Sequence, residues 1–133
     1  MINVFIFGGR DFNNYELLKS KCDLILKDIT DDITVISGRA KGADSLGERY
    51  AVEKGYKTEY FPAQWDDLEA TPCKIKYNKY DKPYNALAGF NRNRDMVDTS
   101  DIAIGFWDGL SHGTKDSIEL CKKKGIRLEV VNY

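Results

Sequence analysis

Three glycine-bearing turns hold most of the chemistry this sequence can offer. They are Gly8-Gly9-Arg10-Asp11, Ser37-Gly38-Arg39-Ala40-Lys41-Gly42-Ala43-Asp44 and Trp107-Asp108-Gly109-Leu110-Ser111-His112-Gly113-Thr114. Glycines let backbone N–H groups come close to a ligand. Where such a turn opens a helix, unpaired amides and the positive end of the helix dipole favour an anion. Arg10, Arg39 and Lys41 sit in the turns, and Arg92 and Arg94 stand in the run Asn91-Arg92-Asn93-Arg94. Guanidinium groups match phosphate with paired hydrogen bonds. Three such turns and five cations on one rim predict a site for a phosphate-bearing ligand. One turn alone would be an ordinary feature of an α/β chain.

Other chemistries fit less well. No GxGxxG follows the first strand, and Gly38 to Asp44 lacks the GxxxxGK[ST] spacing of a P-loop. One histidine, His112, allows neither a Ser-His-Asp triad nor a metal constellation, and an ordinary turn residue is the favoured reading for it. Cys22, Cys73 and Cys121 are odd in number and far apart, with neither CxxC nor zinc spacing. They fit a reducing, cytoplasmic setting, with Cys22 and Cys121 packing as small hydrophobes. No metal and no cofactor is expected.

The elements that must position these turns alternate in hydrophobic period. Ile2–Phe7, Ile33–Ile36, Lys57–Phe61, Ile102–Phe106 and Ile126–Val131 read as strands, most without polar alternation, as in a parallel sheet covered on both faces. Leu18, Cys22, Ile25 and Ile29 form one apolar stripe on a helix from about Asn14 to Asp28. A second helix carries Ala43, Leu46, Tyr50 and Ala51 and ends at Lys54-Gly55. Another runs from Thr114 to Lys124, closed by Lys122-Lys123-Lys124-Gly125. Arg92 and Arg94 are expected at the start of the helix before the fourth strand.

This order gives an α/β fold with five parallel strands. The connection at 62–87 is unusually long. It allows the chain to return from an edge and set strand four beside strand one, so the expected strand order is 3-2-1-4-5, with a crevice at the switch point between strands one and four. The same connection holds Trp65, Pro72, Tyr77, Tyr80, Pro83 and Tyr84 among lysines and asparagines. A solvated loop pinned by its aromatics is favoured over a lid.

The chain has 133 residues, 42% hydrophobic and 31% charged, with a net charge of -1. Those values fit one globular domain over 1–133 that needs no disulfide or metal to hold a core. No apolar run approaches a membrane span, and Met1 to Phe7 reads as a strand rather than a leader. The balanced charge argues against bulk nucleic-acid binding but leaves room for a local site.

Gly8-Gly9-Arg10-Asp11-Phe12, Ser37 to Asp44, Asn91 to Arg94 and Gly109 to Thr114 occur in the order and spacing of the SLOG superfamily. That group includes the Smf/DprA DNA-processing proteins and the Lonely-guy (LOG) phosphoribohydrolases. The chain resembles most its YspA/cpYpsA-related branch, found in bacteria and their phages. The resemblance implies a Rossmann-like three-layer sandwich with nucleotide-derived ligands at the strand ends. Ser37 to Asp44 is similar to the Smf/DprA serine-glycine-x-alanine-x-glycine-x-aspartate motif, and Arg92-Asn93-Arg94 to that group's arginine-asparagine-arginine. Gly113-Thr114 resembles the end of the LOG PGGxGTxxE motif, but the position of its catalytic glutamate is Ser117 here.

Three functions follow. The favoured one is a nucleotide-binding sensor, sequestering or adaptor module. In it, amides of Gly8-Gly9, Gly38 to Gly42 and Gly109 to Thr114 hold phosphates, and Arg10, Arg39, Arg92 and Arg94 neutralise them, with Lys41 and Asn91 nearby. Ser37, Ser111 and Thr114 give hydroxyl bonds. Asp44 either bonds a ribose or caps a helix, and Trp107 either stacks on a base or packs in the core. The second is an N-glycosidic hydrolase with Glu119, Asp116 or Asp11 as the acid, since such chemistry needs a placed carboxylate. The third is single-stranded DNA binding through the basic, tyrosine-containing stretch Lys74 to Lys82. Homo-oligomers are common in the superfamily, although the chain gives no independent signal of one.

Overall fold

In the computed structural model, which describes residues 1–133, strand β1 (Ile2–Gly8) is flanked by β2 (Ile33–Ser37) and β6 (Ile102–Trp107). Outside them lie β3 (Lys57–Tyr60) and β7 (Arg127–Asn132). The five strands are parallel in the order β3-β2-β1-β6-β7. Counting the sheet strands alone, this is the expected 3-2-1-4-5. Four helices complete the layers: α1 (Tyr15–Leu26), α2 (Ala43–Lys54), α3 (Ala88–Thr99) and α4 (His112–Lys124).

Side chains alternate across a strand, so β1 serves two cores at once. Val4 and Ile6 join Leu18, Cys22, Val35, Tyr50 and Ile104 on the α1/α2 side. Phe5 and Phe7 join Ile36, Met96, Val97, Ile118 and Cys121 on the α3/α4 side. The rings of Phe5 and Phe7 stack at 4.5 Å, in space that Gly105 on β6 leaves open. Cys22 and Cys121 are free thiols inside these cores, and burial pushes both upward, to about 12 and about 11. No helix is long and apolar enough to cross a membrane.

Helix ends follow local chemistry. The Asn14 side chain accepts from the Leu17 amide at 3.1 Å to start α1, and Ser111 caps α4. Gly55 and Gly125 close α2 and α4 in the left-handed conformation. Three details differ from the sequence reading. The edge strands β3 and β7 are largely exposed rather than covered. The 62–87 connection contains an antiparallel pair, β4 (Ile75–Tyr77) and β5 (Pro83–Asn85). Helix α3 begins at Ala88, so Arg92 and Arg94 lie in its middle rather than at its start.

Candidate functional site

Strand β1 leads to α1 on one face of the sheet, and β6 leads to α4 on the other. Their following turns therefore diverge and leave a gap at the carboxyl edge, as topology requires at a switch point. A crevice of about 420 Å³ occupies that gap. Gly8, Gly9, Arg10 and Asp11 form one wall, and Asp108, Ser111, Gly113, Thr114 and Ser117 form another. Ala40, Asp44, Arg92, Asn93 and Met96 complete it, over a floor of Phe5 and Phe7.

The first two turns are bound to each other. The Gly9 carbonyl accepts from the amides of Phe12 and Ala43, each at 3.2 Å, while its own amide donates to Phe106. Gly42 makes this approach possible. Its φ is +78°, and a Cβ there would overlap the carbonyl oxygens of Gly9 and Arg10, lying 2.6 Å from the latter. On the third turn, Ser111 Oγ accepts from the Thr114 amide and lies 3.0 Å from Thr114 Oγ1. The amides of His112 and Gly113 remain without partners at the open end of α4.

Charge in the crevice is mixed. Arg10 and Arg92 enter no ion pair. Arg92 donates to the Gly38 carbonyl at 3.0 Å, and its Nε is buried without a partner. Burial lowers the Arg92 pKa, Asp44 opposes that, and Arg10 adds to it. Three carboxylates face these two guanidiniums. Asp108 accepts from the amides of Leu110 at 2.8 Å and Ser111 at 2.9 Å, which hold its pKa below the usual range. Asp11 accepts from the Tyr133 hydroxyl at 2.8 Å, and burial, with that bond, raises the Tyr133 pKa. Burial pushes Asp44 up to about 6, against the opposing pulls of the Ala40 amide and Arg92. Asp44 is not the cap of α2, which is Gly42. Its carboxylate instead accepts from Ala40 at 3.3 Å and braces the turn before the helix.

Of the residues singled out in the sequence, the crevice gathers Gly8, Gly9, Arg10, Asp44, Arg92, Ser111, Gly113 and Thr114. Others are placed elsewhere. The Arg39 guanidinium lies 4.2 Å from the Tyr60 ring centre and 3.7 Å from Glu48. Ser37 Oγ donates to Glu48 at 2.7 Å. Gly38 and Gly42 stand behind the wall, Lys41 and Gly109 are exposed outside it, and Trp107 donates to the Ser111 carbonyl while packing on the second core. Asn91 and Arg94 turn to the 62–87 segment, donating to the carbonyls of Pro72 and Thr71. The expected convergence of five cations thus reduces to two. Arg92 and Arg94 are two residues apart on one helix, roughly 200° around its axis, and only Arg92 reaches the crevice. Arg39 is captured by an aromatic ring and a carboxylate on neighbouring elements.

Asp116 and Glu119 do not line the crevice, whereas Asp11 and Ser117 do. The position that carries glutamate in the LOG motif therefore faces the gap with a hydroxyl. Asp108, Asn93 and Met96 were not singled out in the sequence. Asp108 was legible as a carboxylate directly after a strand. Asn93 and Met96, three residues apart on α3, reach the crevice through the packing of that helix, which no local pattern announces.

The family model described as the YspA, cpYpsA-related SLOG family matches residues 2–67. No curated protein matches the chain. Among solved structures, the X-ray structure of DNA processing protein A (DprA) from Streptococcus pneumoniae superposes with a TM-score of 0.68 at 17% identity. The similarity covers 99% of this chain and 50% of that one, so the chain spans about half the length of that neighbour. At that identity the likeness speaks for the Rossmann-like fold. The family match covers the first two turns and just under half of the chain, and on it the chain is similar to the YspA, cpYpsA-related SLOG family.

Proposed function

We propose that the β1/β6 crevice binds a nucleotide or nucleotide-derived molecule, holding phosphate and sugar together, in a sensing, sequestering or adaptor role. The observation that carries this reading is the juxtaposition of two ion-pair-free guanidiniums, Arg10 and Arg92, with the open amides of α4 and three carboxylates. Guanidiniums and amides suit phosphate oxygens. Asp11 and Asp108 suit sugar hydroxyls, which donate to carboxylates. A bare polyanion gains little from a wall that carries as many carboxylates as this one. The volume lies within the usual range for small-molecule sites.

Hydrolysis of the N-glycosidic bond is the weaker reading because Ser117 offers no carboxylate, and Asp116 and Glu119 lie outside the crevice. Single-stranded nucleic acid keeps one supporting observation. Tyr77 and Tyr80 are exposed on the β4–β5 pair, among Lys74, Lys76, Lys79 and Lys82. A gel shift that weakens steeply with salt would favour that reading.

Calorimetric titration with the ribonucleoside 5′-monophosphates tests the main proposal, with chromatography of the same mixtures for released base. Arg10→Ala is expected to weaken binding roughly 10- to 100-fold, the loss of one charge-assisted hydrogen bond. Arg39→Ala is expected to leave affinity unchanged, because its guanidinium lies on Tyr60. Equal losses in both variants would misplace the site. Release of free base would favour the hydrolase.

A further inference from the structure

We propose that a second cavity, of about 330 Å³ between the 62–87 segment and α3, is the subsite for a nucleobase whose sugar and phosphate lie in the β1/β6 crevice. The inference rests on the reading of that crevice given above. Arg92 lines both spaces, so one ligand can pass over its side chain from one to the other.

Two buried asparagines give the second cavity its chemistry. Asn85, 0% exposed, accepts through Oδ1 from the amides of Lys74 at 3.2 Å and Leu87 at 2.9 Å. Those two donors fix the orientation of its amide, and Nδ2 has no partner. Asn91, 9% exposed, donates through Nδ2 to the Pro72 carbonyl at 2.8 Å, which fixes its orientation too and leaves Oδ1 without a partner. Buried polar atoms without partners are rare in folded proteins, and each forfeits a hydrogen bond that something else must return. Here the two residues that carry this free donor and free acceptor line one cavity, beside Tyr60 and Phe61, with the two atoms themselves buried in its wall. A flat heterocycle with both an acceptor and a donor on its edge answers both atoms when small side-chain shifts bring them to the cavity surface, and aromatic side chains suit its faces. The crevice has the complementary equipment, with guanidiniums, main-chain amides and carboxylates for phosphate and sugar, and Asn93 as its one amide side chain.

The test compares ribose 5-phosphate with the four ribonucleoside 5′-monophosphates by calorimetry, on the native chain and on Ala70→Leu, Asn91→Ala and Arg10→Ala. Ala70 lines the cavity away from the crevice, and a leucine there narrows the space without touching either asparagine's hydrogen bonds. At least one monophosphate is expected to bind about 10-fold or more tighter than ribose 5-phosphate, in line with the gain from enclosing a base. Ala70→Leu and Asn91→Ala are expected to erase that advantage while leaving ribose 5-phosphate affinity unchanged, with thermal melting confirming that both variants fold. Arg10→Ala is expected to weaken every ligand alike. If ribose 5-phosphate binds but no base adds affinity, or if the advantage survives both cavity variants, the base subsite is overturned and the crevice reading stands. If neither class of ligand binds, both fall.

Discussion

Asp44→Asn is expected to remove a pH dependence of stability worth about 3 kcal/mol, read as the difference between native and variant unfolding free energies. Asp44 is buried, and its carboxyl is pushed from 3.8 up to about 6. The folded chain thus favours the neutral form. The stabilisation this brings is complete below the unfolded value of 3.8 and is lost as pH rises through about 6. Urea unfolding at several pH values checks it. The native chain should lose stability relative to the variant across that window, and two parallel curves would contradict the assignment.

The same carboxyl lies in the crevice wall with Arg92, with Glu48 also acting on it. An anion bound there favours protonation of Asp44, so affinity for sulfate, which does not titrate in this range, should fall as pH rises through about 6. Asp44→Asn should abolish that slope. Unchanged sulfate affinity between acid and neutral pH in the native chain would remove Asp44 from the anion site.

Gly42→Ala carries the second large effect, a loss of about 3 kcal/mol or more in folding stability. Two costs add. The φ of +78° is unfavourable for alanine, and its Cβ would overlap the carbonyls of Gly9 and Arg10. Relief requires parting the two turns and lengthening the Ala43-to-Gly9 hydrogen bond, so anion binding should fail with stability. Gly109→Ala supplies the comparison. Its φ of +86° is similarly unfavourable, but nothing lies within 4 Å of the added carbon, so only the conformational cost of about 1 kcal/mol applies. Equal losses in the two variants would show that the turns do not need their close contact.

Local signals made most of the framework legible. The stripe through Leu18 and Cys22, the glycines at 55 and 125, and the alternation of strands with helices each act within a few residues. The strand order followed from one long connection and the right-handedness of crossovers. The β4–β5 pair escaped notice because three-residue strands such as Ile75-Lys76-Tyr77 have no periodicity to read. Site residues divided too. Of the turn glycines, Gly8, Gly9 and Gly113 line the crevice, whereas Gly38 and Gly42 stand behind it and Gly109 outside it. The destinations of long side chains were not legible, because Arg39 answers to Tyr60 and Glu48, and Arg94 to Thr71, partners remote in sequence or on another element. The Tyr133 hydroxyl on Asp11, 122 positions away, has no sequence signal at all.

Amide NMR during titration with a ribonucleoside 5′-monophosphate asks most directly whether phosphate meets the main-chain donors of β1's turn and α4's first turn. The largest shifts should fall on Gly9, Arg10, His112, Gly113 and Thr114, and Arg10→Ala should suppress them together. Saturable binding whose largest shifts fall instead on Tyr77, Tyr80 and the lysines around them, with Gly9 and Gly113 unmoved, would contradict the account.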